Sequence, residues 1–255
     1  MTILCYHAVQ EHWESPLAVT PQAFADQATW LHRNRRVLPV HDALSRLDAS
    51  GRLPRGEAAL TFDDGFADMY THALPVLTRE QLPATMFLVA QTLTAAGQPV
   101  DWVDTPGTEP LRTLSLDQVL EMQDAGVDFQ SHSWAHHDLT RLSTAECVQD
   151  LRESRELLSD LLGRAVTLLA YPRGLHNAQV RDAAERAGYT HAFALPERAE
   201  EPGTYAVPRV GIYRGNGQLT VRAKSSRPYL RLRTSGGVAR GALGVKQIAR
   251  RLRPR

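Results

Sequence analysis

Residues 58–65 read Ala-Ala-Leu-Thr-Phe-Asp-Asp-Gly, an apolar run of strand character that ends on two adjacent carboxylates and a glycine. Runs of the same kind recur at Ile3–Tyr6, Ala84–Val89, Val127–Gln130, Thr167–Tyr171 and His191–Leu195, and amphipathic stretches separate them. The clearest helix is predicted over 144–162. It opens on Ser143-Thr144-Ala145-Glu146, where the Ser143 and Glu146 side chains satisfy each other's free backbone N–H groups. It then carries Val148, Leu151, Leu158, Leu161 and Leu162 on one face and stops at Gly163. Helices are also predicted over Pro21–Asn34, Leu116–Ala125 and Ala178–Ala187. Strands alternating with helices over about 220 residues leave a doubly wound sheet or a (β/α) barrel. Both bind ligands beyond the carboxyl ends of their strands, so the residues directly after each strand carry the functional reading.

After the first quoted run stand Asp63 and Asp64. Adjacent like charges raise each other's pKa, and a bound cation removes that cost. Neighbouring residues leave a strand end in different directions, so one carboxylate can hold a metal while the other faces a substrate. The same residues also spell a plain Asp-Gly turn. After Val127–Gln130 comes Ser131-His132-Ser133-Trp134-Ala135-His136-His137. One turn of helix would bring His132 and His136 to the same side, a good geometry for a divalent cation. A zincin needs Glu directly after the first His, and Ser133 stands there. Asp64, His132 and His136 together form a two-His-one-carboxylate set with coordination positions left open. Asp63 is then free to act as general base on a water whose pKa the metal lowers from about 15.7 toward about 7. Hydrolysis of an amide or ester is the expected chemistry. Zinc suits the donors best, and Co²⁺ and Ni²⁺ also fit.

These residues resemble the polysaccharide deacetylases, carbohydrate esterase family 4, also called the NodB-homology domain. Thr61-Phe62-Asp63-Asp64-Gly65-Phe66-Ala67-Asp68 is similar to the family's first motif, and Ser131-His132-Ser133-Trp134-Ala135-His136 matches its His-Ser/Thr-x-x-His motif. Ala73-Leu74-Pro75-Val76-Leu77 and Leu82-Pro83-Ala84-Thr85-Met86-Phe87-Leu88 resemble the helix and second core strand that follow the first motif. Tyr171-Pro172-Arg173-Gly174 resembles the third motif. The likeness covers about residues 1–215. It implies an α/β fold, a distorted (β/α)7 barrel, and removal of acetyl groups from sugars. It also implies Asp63 as base, Asp64, His132 and His136 as metal ligands, and the Arg173 backbone N–H as oxyanion donor. Tyr171 and Pro172 would contact substrate; Trp134 either walls the sugar site or packs beneath the loop. Two departures stand out. Ala170 occupies the position of the Arg that orients the base, and no Leu-x-x-His follows residue 176. Both resemble the poly-N-acetylglucosamine deacetylase subgroup, in which a Tyr-His near the N-terminus supplies the acid. Tyr6-His7 then makes His7 the proton donor, and Arg209 in Val207-Pro208-Arg209-Val210 is the candidate orienter of Asp63.

The 255 residues, 43% hydrophobic and 22% charged, exclude disorder, collagen-like repeats and coiled coil. Cys5 and Cys147 are too few for a disulfide framework or a Cys-rich zinc site and read as buried apolar fillers. No Walker A loop or nucleophile elbow is present, and Gly211–Gly217 reads as a turn. Residues 221–255 hold eleven of the 29 Lys and Arg and no acidic residue, which leaves residues 1–220 at −10. The domain is expected over 1–220, with 221–255 as a basic tail. Val238, Ala242, Val245, Ala249 and Leu252 can share one face of a short helix there, a pattern suited to peripheral contact with anionic membrane. No nucleic-acid partner is expected. Met1–His7 lacks a basic region and cleavage pattern, so the expected setting is cytoplasmic, at most peripheral to the inner face of the membrane. The expected substrate is therefore an N-acetylglucosamine-containing saccharide or its activated precursor. Two rival readings use the same residues: a carbohydrate-binding protein that keeps the fold without turnover, and a non-haem iron oxygenase.

Overall fold

A computed structural model describes residues 2–50, 56–105, 107, 110–196, 202–226 and 228–229. Seven parallel strands form a closed ring. They are β1 (Thr2–Tyr6), β2 (Glu57–Phe62), β3 (Ala84–Leu88), β4 (Asp128–Ser131), β5 (Leu168–Ala170), β6 (His191–Ala194) and β7 (Val207–Gly211). Each pairs with the next, and β7 closes on β1 through Ile3↔Arg209, Leu4↔Val210 and Cys5↔Gly211. This is the (β/α)7 barrel expected from the sequence. The additional short strand Arg36–Val37 pairs with the start of β2.

The strands read as nearly continuous apolar runs because both of their faces are covered. Ile3, Ala59, Phe87, Leu168, Ala170, Phe193 and Val207 point inward and pack with Val40, Ala43 and Leu44 of α2 (Val40–Ser50). That helix follows the strand paired to the beginning of β2, so it closes the end at which the strands begin. The alternate residues Leu4, Leu60, Met86, Phe129 and Leu169 face outward. They meet α1 (Pro21–Asn34), α3 (Leu74–Arg79), α4 (Leu116–Asp124), α5 (Thr144–Leu162) and α6 (Ala178–Arg186). At the carboxyl ends of the strands, Ala8, Trp13, Ala18 and Phe66 make a third, smaller cluster with Leu17, Val100, Val103 and Leu111.

The six expected strands and four expected helices are present. Both capping residues of α5 make their reciprocal bonds, and Gly163 ends the helix at φ 65°. Sequence periodicity missed α2, whose apolar face is short, and β7, whose Pro208 removes a ladder donor. It also missed α7 (Gln218–Lys224), which buries Val221 and so runs across residue 220. The tail pattern from Val238 to Leu252 lies outside the described residues. Among the described residues no helix is long and apolar enough to cross a membrane.

Candidate active site

Beyond Phe62 the chain turns through two left-handed residues, Asp64 at φ 72° and Gly65 at φ 68°. Glycine is required at the second, since a Cβ there would stand 2.6 Å from Leu88 Cδ2. The turn separates the two carboxylates. Asp63 meets Arg209, which enters from β7: Nη1 donates to Oδ1 at 2.6 Å and Nη2 to Oδ2 at 2.7 Å. The Cys5 thiol donates to Oδ2 at 3.3 Å. Arg209 is 1% exposed and lies 5.3 Å over the Phe87 ring and 5.8 Å from that of Phe193, so a guanidinium caps the apolar barrel interior. Burial opposes the charge on each partner, but each holds the other ionised. Asp63 is kept well below the usual carboxylate range, and Arg209 above its own.

Asp64 faces the other way. Its Oδ1 lies 3.4 Å from His136 Nε2 and 3.7 Å from His132 Nε2, and these three donors lie within 4.8 Å of one another. Burial, then the charge of Asp63, pushes the Asp64 carboxyl up to about 8. Burial drives both imidazoles toward the neutral form in which they bind metals. His132 Nδ1 contacts the Ala170 carbonyl at 2.8 Å, which selects the Nδ1–H tautomer and turns the Nε2 lone pair toward Asp64. A divalent cation fits this donor set: two lone pairs and one carboxylate converge, and the cost of ionising Asp64 disappears on binding.

The histidines do not share a helical turn, as the four-residue spacing suggested. The segment after β4 is a loop in which Ser133 (φ 69°) and His136 (φ 57°) are both left-handed. Ser131 Oγ accepts the Ser133 N–H at 3.2 Å and Ser133 Oγ accepts the His136 N–H at 3.1 Å. Four of the five non-glycine residues at positive φ among the described residues are Asp64, Ser133, His136 and Arg173. Each such conformation costs about 1–2 kcal/mol, and strain gathered at one end of a fold marks a functional site.

Arg173 (φ 58°) follows β5 in a tight turn, and no backbone carbonyl among the described residues accepts its N–H. Gly174 beside it leaves no room for a Cβ, which would meet Leu195 Cβ at 2.5 Å. His7 follows β1 and is 8% exposed; its Nδ1 has no partner among the described residues. Burial lowers its pKa to about 4, against the opposing pull of Asp63. Donor atoms of Cys5, His7 and Asp63 lie within 4.8 Å of one another. Tyr171 and Pro172, expected to contact substrate, are both buried. The Tyr171 hydroxyl donates to the Tyr205 carbonyl and supports the Arg173 turn from beneath. Trp134 packs against the outer core, the second of its two readings.

Sequence reasoning missed Trp102. Its Nε1 donates to Asp64 Oδ1 at 3.0 Å, its ring stacks on His136 at 5.2 Å, and its carbonyl accepts Arg173 Nη2 at 2.8 Å. The only signal was a tryptophan in the polar, non-helical stretch before α4.

Residues 50–192 match the family model for polysaccharide deacetylase. The chain belongs to the polysaccharide deacetylase family. It is 28% identical over 204 residues to the poly-β-1,6-N-acetyl-D-glucosamine N-deacetylase of Staphylococcus epidermidis, spanning 76% of this chain and 67% of that protein. It is 26% identical over 218 residues to YxkH of Bacillus subtilis, spanning 84% and 72%. Two solved structures share the fold. The Streptococcus pyogenes deacetylase PplD in complex with acetate has a TM-score of 0.75 at 24% identity, covering 89% of this chain and 98% of that one. IcaB from Ammonifex degensii has a TM-score of 0.71 at 24% identity, covering 88% and 96%. Family members are metal-dependent hydrolases that remove N-acetyl groups from sugars, and this chain is an enzyme of that class.

Proposed function

We propose that this enzyme hydrolyses the acetamide of an N-acetylglucosamine-containing saccharide or its activated precursor, releasing acetate. The observation that carries this reading is the pairing of Asp63 with Arg209 beside the Asp64, His132 and His136 donor set. The relatives named for poly-β-1,6-N-acetyl-D-glucosamine support the choice of sugar. Asp64, His132 and His136 would hold one divalent ion, zinc by donor type, which supplies Lewis-acid polarisation of the acetyl carbonyl and acidifies water. Asp63 takes the proton of the attacking water. Arg209 trades basicity for position: it keeps Asp63 ionised and fixes both of its oxygens. The Arg173 backbone N–H donates to the developing oxyanion, a contact whose loss typically costs about 10²–10³ in kcat. His7 protonates the departing amine. With its pKa near 4 it rests neutral at pH 7, so its proton arrives during the cycle. Asp63, within 4.8 Å, has just received one.

Arg209 also answers one of the two absences that favoured a non-catalytic sugar-binding protein. A base clamped by a buried guanidinium serves turnover and does nothing for binding alone. Acetate release by metal-stripped protein, before and after Zn²⁺ addition, tests the reading on N-acetylglucosamine oligomers, nucleotide sugars and lipid-linked sugars. Zinc-dependent acetate from any of them is expected. Stoichiometric zinc with no acetate from the whole panel would return the binding-protein reading.

The setting we propose is cytoplasmic, with the basic segment near anionic membrane. The eleven Lys and Arg of residues 221–255, with no acidic residue among them, support the membrane part of this reading. Because Val221 and Ser225 are packed in the fold, the deletion that tests this starts at residue 227. Unchanged co-sedimentation with phosphatidylserine vesicles after that deletion would sink the idea.

A further inference from the structure

The loop that carries His132 and His136 holds two left-handed non-glycine residues, Ser133 and His136, and a cation that binds there requires them in place. The side of α5 that faces the loop presents Asp150 and Ser154, one helical turn apart, with 8% and 0% exposure. Asp150 Oδ1 accepts the Trp134 N–H at 2.9 Å, in the middle of the loop. Ser154 Oγ lies 2.6 Å from Ser131 Oγ and 3.0 Å from the Tyr189 hydroxyl. The Tyr189 hydroxyl lies 3.0 Å from the Leu151 carbonyl.

The direction of every bond in this chain follows from its last member. A carbonyl only accepts, so Tyr189 donates to Leu151, Ser154 donates to Tyr189, and Ser131 donates to Ser154. The lone pairs of Ser131 are then left facing the Ser133 N–H, which they accept at 3.2 Å. Every hydroxyl is used, and the row is buried, where such bonds reinforce one another. None of Asp150, Ser154 and Tyr189 belongs to the donor set or to the group that handles the proton.

We infer that Asp150, Ser154 and Tyr189 are positioning residues that hold the His132–His136 loop in its binding shape before the cation arrives, and so set metal affinity. This rests on the reading of Asp64, His132 and His136 as ligands. His137, 3.7 Å from Asp150 Oδ2, adds a contact from the exposed side of the loop.

The test measures zinc affinity by chelator competition, together with hydrogen exchange of residues 131–137 in metal-free protein. Ser154→Ala is expected to weaken zinc binding about 10–100-fold, the range seen when an outer partner of a ligand is lost. Tyr189→Phe removes one oxygen with almost no change of volume and serves if Ser154→Ala fails to fold; about tenfold weaker binding is expected. Both variants should exchange the loop amides faster than wild type without metal. Asp150→Asn keeps an acceptor for Trp134 and should stay nearer wild type than Asp150→Leu. Folded Tyr189→Phe with wild-type zinc affinity and loop protection would overturn the inference alone. Wild-type protein that takes up no zinc would overturn the ligand assignment and this inference with it.

Discussion

The two ends of the barrel are built on opposite rules. Where the strands begin, α2 presses Val40, Ala43 and Leu44 against an apolar interior, and the ionic contacts lie at the edge, as in Arg46 to Glu57 at 2.7 Å. Where they end, the interior is closed by a buried guanidinium, four strained residues and two carboxylates with opposite titration. The first end gains stability from area removed from water. The second gives stability up, through strain and buried charge, to place reactive groups. A substitution should therefore reveal which end it touches by which quantity it moves.

The largest effect is expected at Asp63. Asp63→Asn should lower acetate release by about 10²–10⁴, the contribution of a positioned general base, while zinc stays bound. Steady-state kinetics with a metal assay checks this, and retained turnover would remove Asp63 as base. Leu44→Ala, at the opposite end, should cost about 2–5 kcal/mol in denaturant unfolding and leave kcat of the folded enzyme unchanged. A fall in kcat to match would mean that the ends are not independent.

Next comes the pH response of the paired carboxylates. Asp64 is pushed up to about 8, so metal-free protein keeps a proton there that the unfolded chain has already lost. Stability of the metal-free form should therefore fall as pH rises from about 4 toward 8. Asp63 is held low, so its contribution is complete above about pH 4 and is lost only as pH falls below that. Zinc must displace the Asp64 proton. Its uptake should release close to one proton at pH 6–7 and almost none above pH 9, with affinity rising up to about pH 8. Calorimetry in buffers of different ionisation enthalpy measures the count, and no release at pH 6 would contradict it. The smallest effect is expected from Glu57→Gln, whose arginine partners are 38% and 67% exposed. About 1 kcal/mol or less should be lost, with activity unaltered.

Much of the site was legible because its chemistry is local. Asp63-Asp64-Gly65 follows a strand within one sequence window, and a His pair four apart is visible without any fold. Arg209 was legible only through an absence, since Ala170 left a base without its orienter. Trp102 was barely legible and the Asp150–Ser154 face was not. A tryptophan in an irregular segment is at most a faint signal, and polar residues on an amphipathic helix give none until the chain brings them to their partners. The Tyr171 motif identified a turn but said nothing about which of its side chains point outward, and the Tyr171 ring is buried.

Sequence by itself determined the alternation of strands and helices, the caps of α5 and the identity of the donors, because hydrophobic period and capping act within a few residues. Tertiary structure alone decided that His132 and His136 meet through a left-handed loop instead of a helix. It also brought Arg209, 146 residues away in sequence, onto Asp63. Ring closure of β7 on β1 makes that contact: burial opposes ionisation of both carboxylates, the Arg209 charge overrides it at Asp63, and burial together with the Asp63 charge pushes Asp64 up to about 8.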